Sequence, residues 1–135
     1  MSIPALHAKL VAEATITAIV PATRIKAGQL DPNDTRPAIT IENVSDEQVQ
    51  CLSNAIPLRS PMHQVTCWAD TYAGAHDLAD VVRAAIHHYT GGTLASVGVC
   101  SITVLDGRDT FVPPREGQSK GSYGKSLDLR VWHRV

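Results

Sequence analysis

A period of two in the apolar residues predicts the strands of this chain. Within such segments every second side chain is apolar and the intervening ones are polar, which is the pattern of a half-buried strand. Segments that suit a strand are Arg24–Leu30, Ala38–Ser45, Met62–Asp70, Ala95–Leu105 and Lys125–Val135. The fourth of them carries apolar residues on both faces, so we expect it to lie inside a sheet.

A period near 3.6 predicts two helical regions. The first begins around Pro4, continues as a short second turn and ends before Pro21, whose ring blocks a helix. The second follows Asp70 or Thr71, either of which suits an N-cap. Its apolar stripe reaches Tyr89, and the glycines of Thr90–Gly92 are expected to stop it.

Two polar segments separate these elements. We interpret Asp46–Ser60 as a long hairpin whose tip, near Asn54, extends beyond the core. Asp106–Gly124 mixes Gly, Pro and charged residues and is expected to be a mobile loop. The order of elements indicates an α+β fold: a single mostly antiparallel β-sheet with a long β-hairpin and helices packed on one face. Residues 1–135 are expected to form one domain.

Composition narrows the class of protein. With 44% hydrophobic and 19% charged residues, the chain is typical of a soluble globular domain. A net charge of −1 argues against a dedicated nucleic-acid binder and against a membrane-surface protein. We expect no signal peptide and no spanning segment, because apolar runs are short. Three cysteines without a close pair indicate reduced thiols in a cytoplasmic setting.

The stretch from Val65 to His88 contains most of the side chains that could bind a metal or take part in catalysis. Its helical histidines form one stripe with acidic and basic residues: His76, Asp80, Arg83 and His87. The residue four positions after His76 is Asp80 and not a second histidine, which disfavours a helical zinc site. We therefore interpret the stripe as a solvated surface. No metal and no cofactor are predicted.

Cys67 has the strand phase of Val65, so we expect a buried thiol that does not react. No nucleophile elbow, P-loop or dinucleotide fingerprint occurs in the chain. No catalytic residue is assigned. The enzyme alternative is a small Cys/His hydrolase that uses Cys67 or Cys51.

Two tryptophans have the opposite strand phase. Trp68 and Trp132 are predicted on the face away from the aliphatic core, the latter between Arg130 and Arg134. Trp and Arg are enriched at protein interfaces, which favours a contact surface. The alternative is that an early helix or a loop of the same chain covers this face.

Several of these segments together resemble the phage tail-completion, or head–tail joining, family, which is related to tail-terminator proteins. They are "TRIKAGQL", "RPAITIENVS", "CWADTYAGAHDLAD", "TGGTLASVGVCSITVLDGRDTF" and "LDLRVWHRV". The resemblance implies a structural virion protein with no catalytic motif. It also implies a ring, typically a hexamer, that caps the major tail tube protein and docks onto the head-side connector or stopper. DNA passes through such a ring only as cargo. The chain would assemble in the host cytoplasm and reside in the virion tail.

The resemblance implies that the two polar segments are docking sites, centred on Cys51–Pro57 and on Asp106–Gly124. The full set of predicted contact residues is Trp68, Arg130, Trp132, Arg134, Cys51, Asn54, Phe111, Arg115 and Lys120. A second alternative remains, a monomeric or dimeric binding or regulatory module that forms no ring.

Overall fold

Helices occupy both the start and the middle of the chain, and strands make up most of the rest. The structure, a computed structural model, describes residues 3–28, 37–45, 48–50, 55–87, 89–94, 97–113 and 122–134, with side chains for 6–28, 37–45, 60–87, 101–113 and 122–133. The helices are α1 (Ile3–Ala12), α2 (Ala14–Thr17) and α3 (Tyr72–Ile86), with a 3₁₀ turn at Ala22–Arg24. The strands are β1 (Ile25–Ala27), β2 (Ala38–Ser45), β3 (Gln48–Gln50), β4 (Ala55–Arg59), β5 (Met62–Ala69), β6 (Tyr89–Leu94), β7 (Val97–Val112) and β8 (Ser122–Arg134).

Strand β8 lies at the centre of the sheet. On one side it pairs with β5 and, further along, with β4; on the other side it pairs with β7. The sheet continues through β2 to β1 at one edge and through β7 to β6 at the other. Only the β1–β2 pair is parallel among the described strands, so the sheet is mostly antiparallel, as predicted.

The core lies between one face of this sheet and the helices. Strand alternation places Val65 and Cys67 of β5 beside Leu127 and Leu129 of β8, all at 0% exposure. The helices contribute Leu6, Leu10, Ile16, Leu78, Val82 and Ile86 to the same cluster. Burying these apolar surfaces on a single side of the sheet is the main source of stability. The predicted α+β class, with helices on one face, is confirmed.

Helix α3 begins where the sequence predicts and ends earlier. Thr71 is extended, and its Oγ1 accepts a hydrogen bond from the Gly74 amide at 3.0 Å, which makes it the N-cap. The predicted end at Thr90–Gly92 is wrong, because the helix stops at Ile86 and Tyr89–Leu94 form strand β6. Pairing with β7 supplies hydrogen bonds to this segment, and its Tyr and Thr residues suit a strand.

The interpretation of Asp106–Gly124 as a loop is also wrong at both of its ends. Strand β7 continues to Val112 and β8 begins at Ser122, with the register running from Asp106↔Asp128 to Val112↔Ser122. A register shift between Val104 and Asp106 breaks the simple alternation, which hides the second half of the strand in the sequence. Residues 114–121 lie outside the described residues, so their mobility stays a prediction.

The predicted hairpin region contains two short paired strands. Ser45 of β2 pairs with Met62 of β5, and Gln48 of β3 pairs with Arg59 of β4. A register shift then separates Gln48 from Gln50, which pairs with Ala55. Residues 51–54, which include the predicted tip, lie outside the described residues. The extension of this hairpin beyond the core therefore stays a prediction.

Candidate interaction surfaces

The two segments predicted to dock leave the sheet at opposite ends. Val112 of β7 pairs with Ser122 at the start of β8, so the segment that follows β7 departs from that end. Leu58 of β4 pairs with Arg134 at the other end of β8, where β3 and β4 also lie. Strand β8 spans 13 residues. At about 3.3 Å per residue, the two ends are separated by roughly 40 Å.

The outer face, defined here as the sheet face opposite the helices, carries both tryptophans. Trp68 is half-buried, and its indole Nε1 donates a hydrogen bond to Thr40 Oγ1 at 3.0 Å. Its ring also lies over Gly124, because a Cβ at that position would be 3.1 Å from Trp68 Cε3 and Cζ3. Trp132 is half-buried as well and pairs in register with Ser101. Both side chains have the predicted phase.

Small hydroxyl side chains form a row beside Trp68 on the outer face. Thr40, Thr66 and Ser126 occupy paired positions and are only 2%, 7% and 4% exposed. The hydroxyls of Thr66 and Ser126 are 3.2 Å apart and share a hydrogen bond. The part of the outer face around Trp68 is therefore shielded within the chain itself. This favours, for Trp68, the alternative that the same chain covers this face.

A polar cluster joins the far end of β7 to the start of α3. We call Tyr72, His76, Asp109 and Lys125 the Asp109 cluster, because the Asp109 carboxylate contacts each of the other three. Tyr72 Oη donates to Oδ2 at 2.9 Å, His76 Nε2 lies 2.9 Å from Oδ1, and Lys125 Nζ donates to Oδ1 at 3.2 Å. The hydrogen bond from Tyr72, with the bond and charge of Lys125, holds the pKa of Asp109 below its ordinary value. The same bond raises the pKa of Tyr72.

Aromatic rings extend this cluster toward the end of the sheet. The Tyr72 ring contacts His76 at a centroid distance of 4.4 Å and meets Tyr123 edge-on at 6.2 Å. Phe111 packs against Tyr123 at 4.9 Å and remains 50% exposed. A half-exposed aromatic surface with a polar rim is a common feature of protein interfaces.

Sequence reasoning missed the Asp109 cluster. The stripe on α3 was expected to face water, and Asp80 and Arg83 are indeed exposed, but His76 contacts Asp109 and His87 Nδ1 accepts from the Val104 amide at 3.1 Å. Both partners belong to β7, and the sequence pattern predicts a loop for the part of that strand that contains Asp109. The signal that could reveal the cluster is a pairing of Asp109 with Lys125, in the two segments that flank residues 114–121.

Cys67 has the environment that the sequence predicts. It is fully buried, and burial raises the pKa of its thiol to about 12, so the nucleophilic thiolate is not populated near neutral pH. Within the described residues no group of three or more His, Cys, Asp or Glu side chains is placed to hold a metal ion. No helix in the described part of the chain is long and apolar enough to cross a membrane.

The remaining predicted contact residues divide by location. Arg130 is half-buried on the outer face, and Phe111 lies at the end of β7. The other predictions fall outside the residues or side chains that the structure describes: Arg134, Cys51, Asn54, Arg115 and Lys120. Their contact roles stay predictions.

Comparison with protein families identifies the class to which this architecture belongs. Residues 4–133 match the model of the family described as tail completion protein gp17. The chain belongs to this tail-completion family. Membership gives it a structural role in phage tail completion, and the resemblance seen in its sequence is confirmed. No curated protein sequence matches it.

Solved structures support the fold of this tail-completion chain. A chain from the virion of a native gene transfer agent particle superposes with a TM-score of 0.65 at 14% sequence identity. The match covers 97% of this chain and 92% of that chain. At this level of identity the likeness shows a common fold.

Proposed function

We propose that this chain is a ring-forming subunit that caps the phage tail tube and joins it to the head-side connector. The observation that carries the proposal is the placement of the two candidate docking segments at opposite ends of one sheet. A joining protein must contact two different partners at once. A rigid sheet roughly 40 Å long, with a separate segment at each end, suits that task.

The subunit contacts within the ring would use other surfaces. In a closed cyclic ring, one patch of each subunit meets a different patch of the next. Trp132 and Arg130 lie half-buried on the outer face, at the end away from the shielded row around Trp68. We assign them to the contact between neighbouring subunits. Phe111, Arg115 and Lys120 would contact one axial partner, and Cys51 and Asn54 the other.

The charge of the chain fits a ring through which DNA passes without being held. Tight DNA binding depends on many Lys and Arg contacts to phosphates. Twelve basic residues are balanced here by thirteen acidic ones. DNA would therefore be transient cargo, and the lasting partners would be the tail tube protein, the connector and further copies of this chain.

Analytical ultracentrifugation tests the ring directly, with the chain alone and with purified tail tubes. Trp132→Ala is expected to weaken assembly more than it lowers the melting temperature of the isolated subunit, in which this side chain is half-buried. Leu105→Ala is the matched control, because Leu105 is an apolar β7 residue that is 50% exposed and lies outside the proposed contact. This control should assemble like the natural protein.

Two results would contradict the proposal. One is a chain that stays monomeric at high concentration and also when tail tubes are present, which is the behaviour of a simple binding module. The other is equal loss of assembly in Trp132→Ala and Leu105→Ala, which would remove the reason for placing the subunit contact at Trp132.

A further inference from the structure

The distal half of β7 has a neighbouring strand on only one side. Strand β6 pairs with β7 as far as Ile102, and past that point β8 is its one partner among the described strands. Side chains along this half are correspondingly open to solvent: Leu105, Asp106, Arg108, Asp109, Thr110, Phe111 and Val112 are all exposed. An edge of this kind opens locally more easily than a strand paired on both sides.

Asp109 is the point at which this edge is attached to a helix. Its carboxylate accepts from Tyr72, contacts His76 and accepts from Lys125, so one side chain joins α3, β7 and β8. A single exposed ion pair contributes little to stability, whereas several charges converging on one group contribute more. Asp109 is 48% exposed, while His76 and Lys125 are 34% and 20% exposed.

We infer that Asp109 is a positioning residue that clamps the distal end of the β7–β8 hairpin onto the first turns of α3. The clamp holds the described end of the hairpin, where the exposed Phe111 ring packs against Tyr123 and Tyr123 meets Tyr72 edge-on. It therefore fixes the position from which we propose that Phe111 docks. The consequence for docking rests on the proposed function; the clamp itself does not.

The chain offers a matched control for this clamp. Arg108 Nη2 donates to both carboxylate oxygens of Asp128 at 3.1 Å, so this pair also joins β7 to β8. Asp128 lies on the outer face, because its neighbours Leu127 and Leu129 face the helices. Asp109→Asn and Asp128→Asn each remove one carboxylate charge from the same ladder. Only the first weakens a connection to the helix, because it replaces one of the two acceptor oxygens that face Tyr72 and His76.

Hydrogen–deuterium exchange of the full chain tests the clamp. In Asp109→Asn, amides of residues 109–112 and of 72–76 are expected to exchange about threefold faster than in the natural protein. Asp128→Asn should leave residues 72–76 unchanged. Tyr72→Phe, which removes one hydroxyl, should reproduce part of the effect, and combining it with Asp109→Asn should add less than the sum of the two.

The clamp is refuted if Asp109→Asn leaves exchange at 72–76 unaltered, or if Asp128→Asn accelerates it equally. Should Asp109→Asn fold poorly, Tyr72→Phe alone decides in the same way. Co-sedimentation with tail tubes then tests docking. Faster exchange with unchanged tube binding would reject the link from clamp to docking. Absence of tube binding by the natural protein would reject the proposed function and leave the exchange result standing.

Discussion

Replacing Gly124 by alanine tests the packing of the outer face, because this packing predicts a loss of stability where a strand glycine ordinarily predicts a gain. Replacing a strand glycine by alanine ordinarily stabilises a protein by about 0.5–1 kcal/mol, because glycine loses more backbone entropy on folding. At this position the new Cβ would lie 2.6 Å from Thr110 Cγ2 and 3.1 Å from two carbons of Trp68. Carbon atoms pack at about 3.5–4.0 Å, so the Thr110 methyl must retreat by roughly 1 Å.

Overpacking of this kind costs about 1–3 kcal/mol, which exceeds the entropic gain. We therefore expect Gly124→Ala to lower the free energy of unfolding by about 1–2 kcal/mol and the melting temperature by roughly 3–10 °C. Urea unfolding followed by tryptophan fluorescence measures the change.

Thr110→Ser supplies the control for this steric argument, because it removes the clashing methyl group and keeps the hydroxyl. Alone it should be nearly neutral, since Thr110 is exposed. In the Gly124→Ala background it should recover part of the lost stability. An alanine variant more stable than the natural protein would refute the steric argument as a whole, and a double variant with no recovery would refute the clash with Thr110.

Three further predictions concern the core, the thiol and the Asp109 cluster. Leu129→Ala should destabilise the chain by about 2–5 kcal/mol, because Leu129 is 0% exposed. A loss below about 1 kcal/mol in denaturant titration would contradict this, since it would mean that neighbouring residues fill the cavity. Mass-mapped alkylation at pH 8 should label Cys67 only in denaturant, since burial raises its pKa to about 12; rapid labelling in the native state would restore the hydrolase alternative. The folded pKa of Asp109 is lowered, so its stabilising contribution holds above pH 3.8 and fades as pH falls through the lowered value. The folded pKa of Tyr72 is raised, so its contribution holds below pH 10.0 and fades as pH rises through the raised value. The stability difference between the natural protein and Asp109→Asn should thus be largest at intermediate pH, and a difference that does not change with pH would contradict the cluster.

The period of two in the apolar residues predicts the position of most strands in the fold. The limits of β2 agree with the sequence interpretation to the residue, because Ala38–Ser45 is bounded by turn residues and Ile39 and Ile41 alternate with Thr40 and Glu42. The start of α3 is likewise predicted to within one residue, because Asp70 and Thr71 both suit an N-cap directly before an apolar helical stripe, and the structure shows that Thr71 is the cap. These features depend on local chemistry, which a single sequence records.

The features that the sequence does not predict depend on pairing between strands that are far apart in the chain. Whether Tyr89–Leu94 forms helix or strand depends on the neighbouring β7, and no local signal identifies that neighbour. The register shift near Asp106 breaks the alternation of β7, so the sequence pattern predicts a loop at Asp109 and gives no sign of its contact with His76. The candidate contact surfaces could not be located from the sequence, because they depend on which strand ends lie next to each other. The register of the sheet supplies this information.

The capping role is tested most directly by adding this chain to tail tube protein that is polymerising, and by imaging the products in the electron microscope. The proposal predicts that a few copies per tube stop growth and appear as a ring at one end of each tube. Tubes that lengthen normally and carry no added density at either end would contradict it.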